Sequence, residues 1–128
     1  MTTDKTRVVV ADDDGDIRAL VEIAARKAGL DVVACVGDGD AAWQSVQDLT
    51  PDMVILDVAM PGMTGLEVCK LIRSSETMSS IPVLILSAAV DDAALQAGRD
   101  AGATDYLVKP FSPRELTAWL SARPVNVQ

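Results

Sequence analysis

Short apolar runs alternate along the chain with segments whose apolar residues recur every three or four positions. Runs of this kind, rich in Val, Ile and Leu, are typical of strands buried on both faces of a parallel sheet. Five such runs are present, at 8–11, 31–36, 53–56, 83–86 and 105–108. Because the crossovers between parallel strands are right-handed, the pattern predicts a (βα)5 α/β domain with helices on both faces of a five-stranded parallel sheet.

The helical segments have recognisable ends. Gly29 and Gly102 stand where a residue that closes a helix is expected, and Pro51 terminates the second helix. Residues 112–115 are typical of a capping box with Pro113 at the first helical position. The fourth helix is rich in alanine, which buries little area, so we expect it to pack loosely. The predicted helices span about 17–28, 40–48, 65–75, 91–101 and 113–123.

Composition and charge exclude several classes of function for this chain. A chain of 128 residues, 49% of them apolar, is long enough for one domain with a substantial core. The net charge of −8 argues against a domain that grips a nucleic-acid backbone. Because the chain has no histidine, and because Cys35 and Cys69 lie in different elements, neither a zinc site nor a redox site is expected.

The same patterns give expectations for the chain ends and the compartment. No stretch has membrane-spanning length and no signal-peptide pattern is present, so we expect a cytoplasmic protein without membrane contact. We expect residues 1–6 to form an N-terminal tail, 7–123 the domain, and 124–128 a C-terminal tail or a truncated linker.

Polar residues follow four of the predicted strands. Because the carboxyl ends of parallel strands line one crevice, these side chains should converge there. A carboxylate in such a crevice can attack phosphorus when a divalent cation offsets the charge, and Asp57 is the candidate nucleophile. Asp12 and Asp13 carry the hard oxygen ligands that favour Mg²⁺. Lys109 offers a mobile ammonium and Ser87 a hydroxyl, and both groups suit contacts with phosphoryl oxygens.

With these residues in place, the chain resembles the receiver domain of bacterial two-component response regulators over residues 7–122. The resemblance is carried by Val-Ala-Asp-Asp-Asp at 10–14, by the segments 57–65 and 101–111, and by Leu-Ser-Ala at 86–88. It implies a flavodoxin-like, doubly wound sheet with strand order 2-1-3-4-5. It also implies a signalling switch, which is not an enzyme beyond catalysing its own phosphotransfer and autodephosphorylation.

The resemblance implies roles for the crevice residues. Asp57 would receive a phosphoryl group from the phosphohistidine of a sensor histidine kinase or a histidine phosphotransfer protein. The carboxylates of Asp12, Asp13 and Asp57 would bind Mg²⁺, with the backbone carbonyl of Ala59 completing the protein ligands. Lys109 would contact the acyl phosphate, and its peptide bond to the following proline would be cis.

The resemblance further implies a conformational response. Ser87 would move toward the phosphoryl group and Tyr106 would rotate inward, which would reshape the face formed by helix four, strand five and helix five. That face would act on a downstream effector or a fused output domain. Receivers of this type can dimerise on phosphorylation, but no diagnostic interface pattern stands out. Whether the chain is a single-domain receiver or part of a larger regulator stays open.

Three positions depart from the usual pattern of the family. Thr64 replaces the usual aspartate, a loop change without an evident catalytic consequence. Ala59 and Ala89, two residues beyond Asp57 and Ser87, offer no side-chain hydrogen bond to orient an attacking water. We therefore hypothesise that the phosphoaspartate hydrolyses more slowly than in receivers that carry amide or acidic side chains there.

Alternative interpretations remain beside this one. An aspartyl-phosphate-forming phosphohydrolase would need a second acid two residues after its nucleophile, where this chain has Ala59. A flavodoxin-type FMN carrier would need a phosphate loop after strand one, where the three aspartates at 12–14 would repel phosphate. Tyr106 could be only a strand aromatic. Trp43 suits packing, whereas Trp119 suits either packing or contact with a partner.

Overall fold

Five parallel strands form the central sheet of the computed structural model, which describes residues 5–122. They are β1 (Arg7–Ala11), β2 (Asp31–Val36), β3 (Met53–Asp57), β4 (Val83–Ser87) and β5 (Asp105–Val108). Their order across the sheet is β2-β1-β3-β4-β5. This is the order of a flavodoxin-like doubly wound fold, and the predicted fold class is confirmed.

A helix follows each strand, close to the predicted bounds. The helices are α1 (Gly15–Lys27), α2 (Gly39–Leu49), α3 (Gly65–Ser74), α4 (Asp92–Asp100) and α5 (Pro113–Ser121). None of these described helices has the length and apolarity needed to cross a bilayer. The predicted tails fall largely on 1–4 and 123–128, which lie outside the described residues together with the predicted end of the last helix at Arg123.

Two separate cores sandwich the sheet, because consecutive strand residues point to opposite faces. On one face the strands pack against α2 and α3, and on the other against α1 and α5. The first core includes Val9, Val54, Ile85, Val46 and Ile72. The second includes Val10, Ile55, Leu84, Val21 and Leu116. Each fully buried aliphatic side chain contributes about 1.5–3 kcal/mol, so the strand ends are held by rigid elements.

Side-chain caps start every described helix. The predicted capping box is confirmed: the Ser112 hydroxyl accepts the Glu115 N–H, and the Glu115 carboxylate accepts the Ser112 N–H. Thr64 and Glu67 form a second box at the start of α3, where a loop residue was expected at 64. The other N-caps are Asp14, Asp38 and Asp91. Such caps each contribute roughly 1 kcal/mol.

Helix α4 is the least anchored helix of the fold, as its alanine-rich sequence predicts. Gly98 is its one buried residue. Val90, in the loop that leads into it, is 62% exposed. Because little apolar area holds α4 in place, its position can change at small energetic cost.

Both tryptophans pack against the cores. Trp43 is partly buried against the core beneath α2 and α3, which confirms the predicted packing role. Trp119 is partly buried against the opposite core, and its indole N–H donates to the Asp105 carboxylate. For Trp119 the packing alternative is therefore favoured over a fully exposed partner anchor.

Candidate functional site

The carboxyl ends of four strands meet at one edge of the sheet. Asp57 and Ser87 are the last residues of β3 and β4, and Asp12 and Lys109 directly follow β1 and β5. Asp13, Asp57, Ser87 and Lys109 line one cleft of about 470 Å³. The convergence expected from the sequence is therefore present in the fold.

The charged groups of this cleft differ in depth. Asp12 is fully buried, and Asp57 and Ser87 are only 4% and 6% exposed. Asp13, one residue further along the chain than Asp12, is exposed. Burying a carboxylate is costly unless it is paired. The charged form of Asp12 and Asp57 therefore depends on the groups that they contact.

Lys109 is the partner that Asp12 and Asp57 share. Its Nζ lies 3.0 Å from Asp12 Oδ2 and 3.1 Å from Asp57 Oδ1. Its backbone N–H donates to the Ser87 carbonyl at 2.8 Å, which ties the ends of β4 and β5 together. The peptide bond between Lys109 and Pro110 is cis, as the family resemblance implies.

The Asp12 carboxylate is oriented by the backbone as well as by Lys109. Its Oδ1 accepts the Asp14 N–H at 2.9 Å. Its Oδ2 is buried and accepts no regular hydrogen bond among the described residues, so the 3.0 Å contact with Lys109 is an ion pair without hydrogen-bond geometry. Oδ2 thus keeps lone pairs available for a cation.

The donor set fits a hard divalent cation. Asp12, Asp13 and Asp57 each place one carboxylate oxygen within 4.8 Å of the others. With the Lys109 ammonium beside them, the four groups carry a formal charge of −2, which a divalent ion would offset. All-oxygen donors suit Mg²⁺. Ala59 lines the same cleft.

Burial and the neighbouring charges shift the proton equilibria of the site. Burial raises the pKa of Asp57 to about 6, and the nearby Asp12 carboxylate adds to the rise while Lys109 opposes it. Burial alone would lower the pKa of Lys109, but its contacts with Asp12 and Asp57 outweigh burial and raise it. At neutral pH Asp57 is therefore mainly a carboxylate and Lys109 an ammonium.

Ser87 and Tyr106 are joined through one residue of the β4–α4 loop. The Ser87 Oγ accepts the Ala89 N–H at 3.1 Å. The Tyr106 hydroxyl donates to the Ala89 carbonyl at 2.9 Å. The Tyr106 ring is partly buried against the core and lies against Gly98 of α4. A movement of this loop would therefore reach both side chains.

Two features of the site were not expected from the sequence. The backbone of Ala89 links Ser87 to Tyr106, and backbone contacts of this kind leave no residue pattern to read. Thr64 caps α3 directly after the cleft loop, and here the spacing of Thr64 and Glu67 did carry a capping-box signal.

Sequence comparisons agree with this geometry. A family model of the response regulator receiver domain matches residues 8–121. The DNA-binding response regulator MtrA of Mycobacterium tuberculosis is 40% identical over 123 residues, which cover 96% of this chain and 52% of MtrA. The alkaline phosphatase synthesis transcriptional regulatory protein PhoP of Bacillus subtilis is 36% identical over 116 residues, or 91% of this chain and 47% of PhoP. The chain thus spans about half the length of these curated relatives.

Structural comparison gives the same answer. The chemotaxis response regulator CheY4 of Vibrio cholerae superposes with a TM-score of 0.84 at 35% identity, covering 91% of this chain and 97% of that structure. The Francisella response regulator 1452 receiver domain superposes with a TM-score of 0.79 at 32% identity, covering 91% and 93%. Family model, relatives and fold coincide over nearly all the described residues, and the chain belongs to the response regulator receiver domain family, the signalling domains of two-component systems.

Proposed function

We propose that this domain is a phosphoacceptor that takes a phosphoryl group from a phosphohistidine onto Asp57 in a Mg²⁺-dependent reaction. One observation carries the proposal. The nearly buried Asp57 carboxylate lies 3.1 Å from the Lys109 ammonium and within 4.8 Å of two further carboxylates, in a cleft open to solvent. The proposed domain spans residues 7–123.

The chemistry assigns a task to each side chain. A carboxylate oxygen of Asp57 forms the new P–O bond as the P–N bond to the donor imidazole breaks, and the bonding electrons leave with the imidazole. Lys109 stays beside the reacting oxygen and offsets the phosphoryl charge. Asp12, Asp13, Asp57 and the Ala59 carbonyl would hold Mg²⁺. When bound, the ion supplies positive charge that offsets the approach of two anions.

The proposed response starts at Ser87. Its hydroxyl keeps a proton to donate to a phosphoryl oxygen while its oxygen accepts the Ala89 N–H. A shift of Ser87 would pull on Ala89 and so on the hydrogen bond from the Tyr106 hydroxyl. Because α4 is weakly packed, this change can propagate to the face of α4, β5 and α5.

The proposed partners follow from this chemistry and from the relatives. The phosphoryl donor is a sensor histidine kinase or a histidine phosphotransfer protein. The output is a downstream effector or a fused output domain, as the DNA-binding relatives of twice this length suggest. The domain itself carries a net charge of −8 and does not bind nucleic acid.

A beryllofluoride titration with Mg²⁺, monitored by the fluorescence of Trp43 and Trp119, tests the proposal. Beryllofluoride occupies the place of a phosphoryl group on a carboxylate. We expect a saturable change that needs both Mg²⁺ and beryllofluoride and disappears in Asp57→Asn. An exposed aspartate on α2 gives the matched control, Asp48→Asn, which should respond as the original protein does.

Two results would contradict the proposal. The first is an Asp57→Asn response equal to that of the original protein. The second is repeated turnover of a phosphate ester, because a phosphoacceptor stops after one phosphoryl group per chain until it dephosphorylates, whereas a phosphohydrolase releases many equivalents of phosphate.

A further inference from the structure

The Arg18 side chain joins three segments around the cleft. Its Nη1 donates to the Asp12 backbone carbonyl at 2.8 Å. Its Nη2 lies 3.6 Å from the position that a Cβ would take at Gly15, at the start of α1. Its Nη1 lies 3.0 Å from the corresponding Cβ position at Gly37, in the turn between β2 and α2. The partly buried guanidinium thus lies next to both glycines.

The acceptor of this bond is the peptide group that joins the two proposed metal ligands. The Asp12 carbonyl belongs to the planar peptide unit shared with Asp13, so its direction sets where Asp13 continues. The Asp12 N–H already donates to the Val36 carbonyl at 3.1 Å. Arg18 binds the Asp12 carbonyl, so hydrogen bonds hold the peptide groups on both sides of the Asp12 Cα.

Gly37 leaves the space that the guanidinium occupies. A Cβ at 37 would lie 3.0 Å from Nη1 and 4.0 Å from the Asp12 carbonyl oxygen. That approach is tighter than ordinary van der Waals contact, so the guanidinium would have to move by a few tenths of an ångström. Such a shift lengthens or bends the bond to Asp12 without removing any charge.

We propose that Arg18 is a positioning residue for the cation site: it fixes the peptide between Asp12 and Asp13 so that both carboxylates face Asp57, and Gly37 keeps its place open. The proposal rests on the Mg²⁺ site of the proposed function. It adds a residue that touches neither the cation nor the phosphoryl group.

The direction in which Mg²⁺ affinity changes when Arg18 is replaced distinguishes a positioning role from a purely electrostatic one. The Arg18 guanidinium is a positive charge beside an acidic cleft, so on Coulomb grounds alone its removal would tighten Mg²⁺ binding. Loss of positioning acts in the opposite direction, because misaligned ligands bind more weakly. Arg18→Met, which keeps most of the apolar stem, therefore gives opposite results under the two explanations.

The test measures the Mg²⁺ dissociation constant by titration calorimetry in five proteins: the original chain, Arg18→Met, Arg18→Lys, Gly37→Ala and the double variant that combines Arg18→Met with Gly37→Ala. We expect Arg18→Met to weaken binding roughly tenfold, in line with other substitutions behind metal ligands. Gly37→Ala should weaken it by about threefold in the original chain, yet have no effect beside Arg18→Met, because the displaced group is then absent. Arg18→Lys keeps the charge and should still weaken binding.

Unfolding in urea with a chelator present controls for folding. The variants should keep a cooperative transition, and Gly37→Ala together with Arg18→Lys still tests the proposal if Arg18→Met does not fold. Equal or tighter Mg²⁺ binding in the folded Arg18 variants would overturn the inference, as would an equal effect of Gly37→Ala in both backgrounds. Absence of Mg²⁺ binding by the original chain would instead overturn the proposed function itself.

Discussion

At the scale of single residues, the burial of the Asp57 carboxylate lowers the stability of the folded protein. Its carboxyl has a pKa of about 6 in the folded protein against an ordinary value of 3.8, chiefly because of burial. The folded state therefore binds more protons than the unfolded chain across this interval, and stability falls as the pH rises from 3.8 to about 6. Above about pH 6 the Asp57 carboxyl is ionised in both states, and the full loss of folding stability is reached.

Asp57→Asn should therefore stabilise the fold at neutral pH. We expect a gain of about 1–3 kcal/mol in the free energy of unfolding without Mg²⁺, measured by urea denaturation. The gain should shrink toward zero as the pH falls below the ordinary carboxyl pKa. The exposed control Asp48→Asn should change stability little, and an Asp57→Asn variant less stable than the original chain at neutral pH would contradict the account.

Ala59 and Ala89 lead to a second prediction at this scale. Both are exposed and line the cleft beside Asp57, and their methyl groups offer no hydrogen bond to an attacking water. We expect the Ala59→Asn, Ala89→Glu double variant to lose its phosphoryl group roughly tenfold faster or more, because a positioned polar side chain that orients the water or accepts its proton accelerates hydrolysis. The readout is the decay of phosphorylated protein after donor removal, and equal half-lives would refute the hypothesis.

At the scale of elements, α4 and β5 meet through an unusual pair. Gly98 lies inside α4, where glycine costs about 1 kcal/mol relative to alanine. A Cβ there would lie 3.0 Å from Tyr106 Cδ2 and 3.2 Å from Cε2. The glycine thus makes room for the ring in the position where its hydroxyl reaches Ala89.

Gly98→Ala tests this pairing. In the original chain we expect it to lower the free energy of unfolding by about 0.5–1.5 kcal/mol, because overpacking outweighs the gain in helix propensity. In a Tyr106→Ala background the same change should instead raise it by about 0.5–1 kcal/mol. Urea denaturation of the original chain, of each single variant and of the double variant completes the double-mutant cycle. An effect of equal sign and size in both backgrounds would show that the ring and the glycine are not coupled.

At the scale of the whole molecule, most of the fold could be predicted from the sequence because helices cover both faces of the sheet. Strands β1, β3 and β4 are buried on both sides and so appear as uninterrupted apolar runs. The order of the strands did not follow from those runs, which do not specify neighbours. It came from the family resemblance, and the structure confirms it.

The candidate site was predictable for a different reason. Residues that directly follow parallel strands must meet at one edge, so the convergence of Asp12, Asp57 and Lys109 could be inferred from their places alone. The contacts of Arg18 and Tyr106 could not, because both side chains donate to backbone carbonyls. Backbone acceptors occur at every residue and therefore carry no sequence signal.

Phosphoryl transfer to Asp57 tests the central claim most directly. The protein is incubated with a phosphoramidate, a small donor with the P–N bond of a phosphohistidine, and the modified residue is located by mass spectrometry of the peptides. We expect one phosphoryl group per chain, on Asp57, formed with Mg²⁺ and not formed when a chelator has removed the cation, and none on Asp57→Asn. Phosphorylation at another residue, or equal labelling of Asp57→Asn, would contradict it.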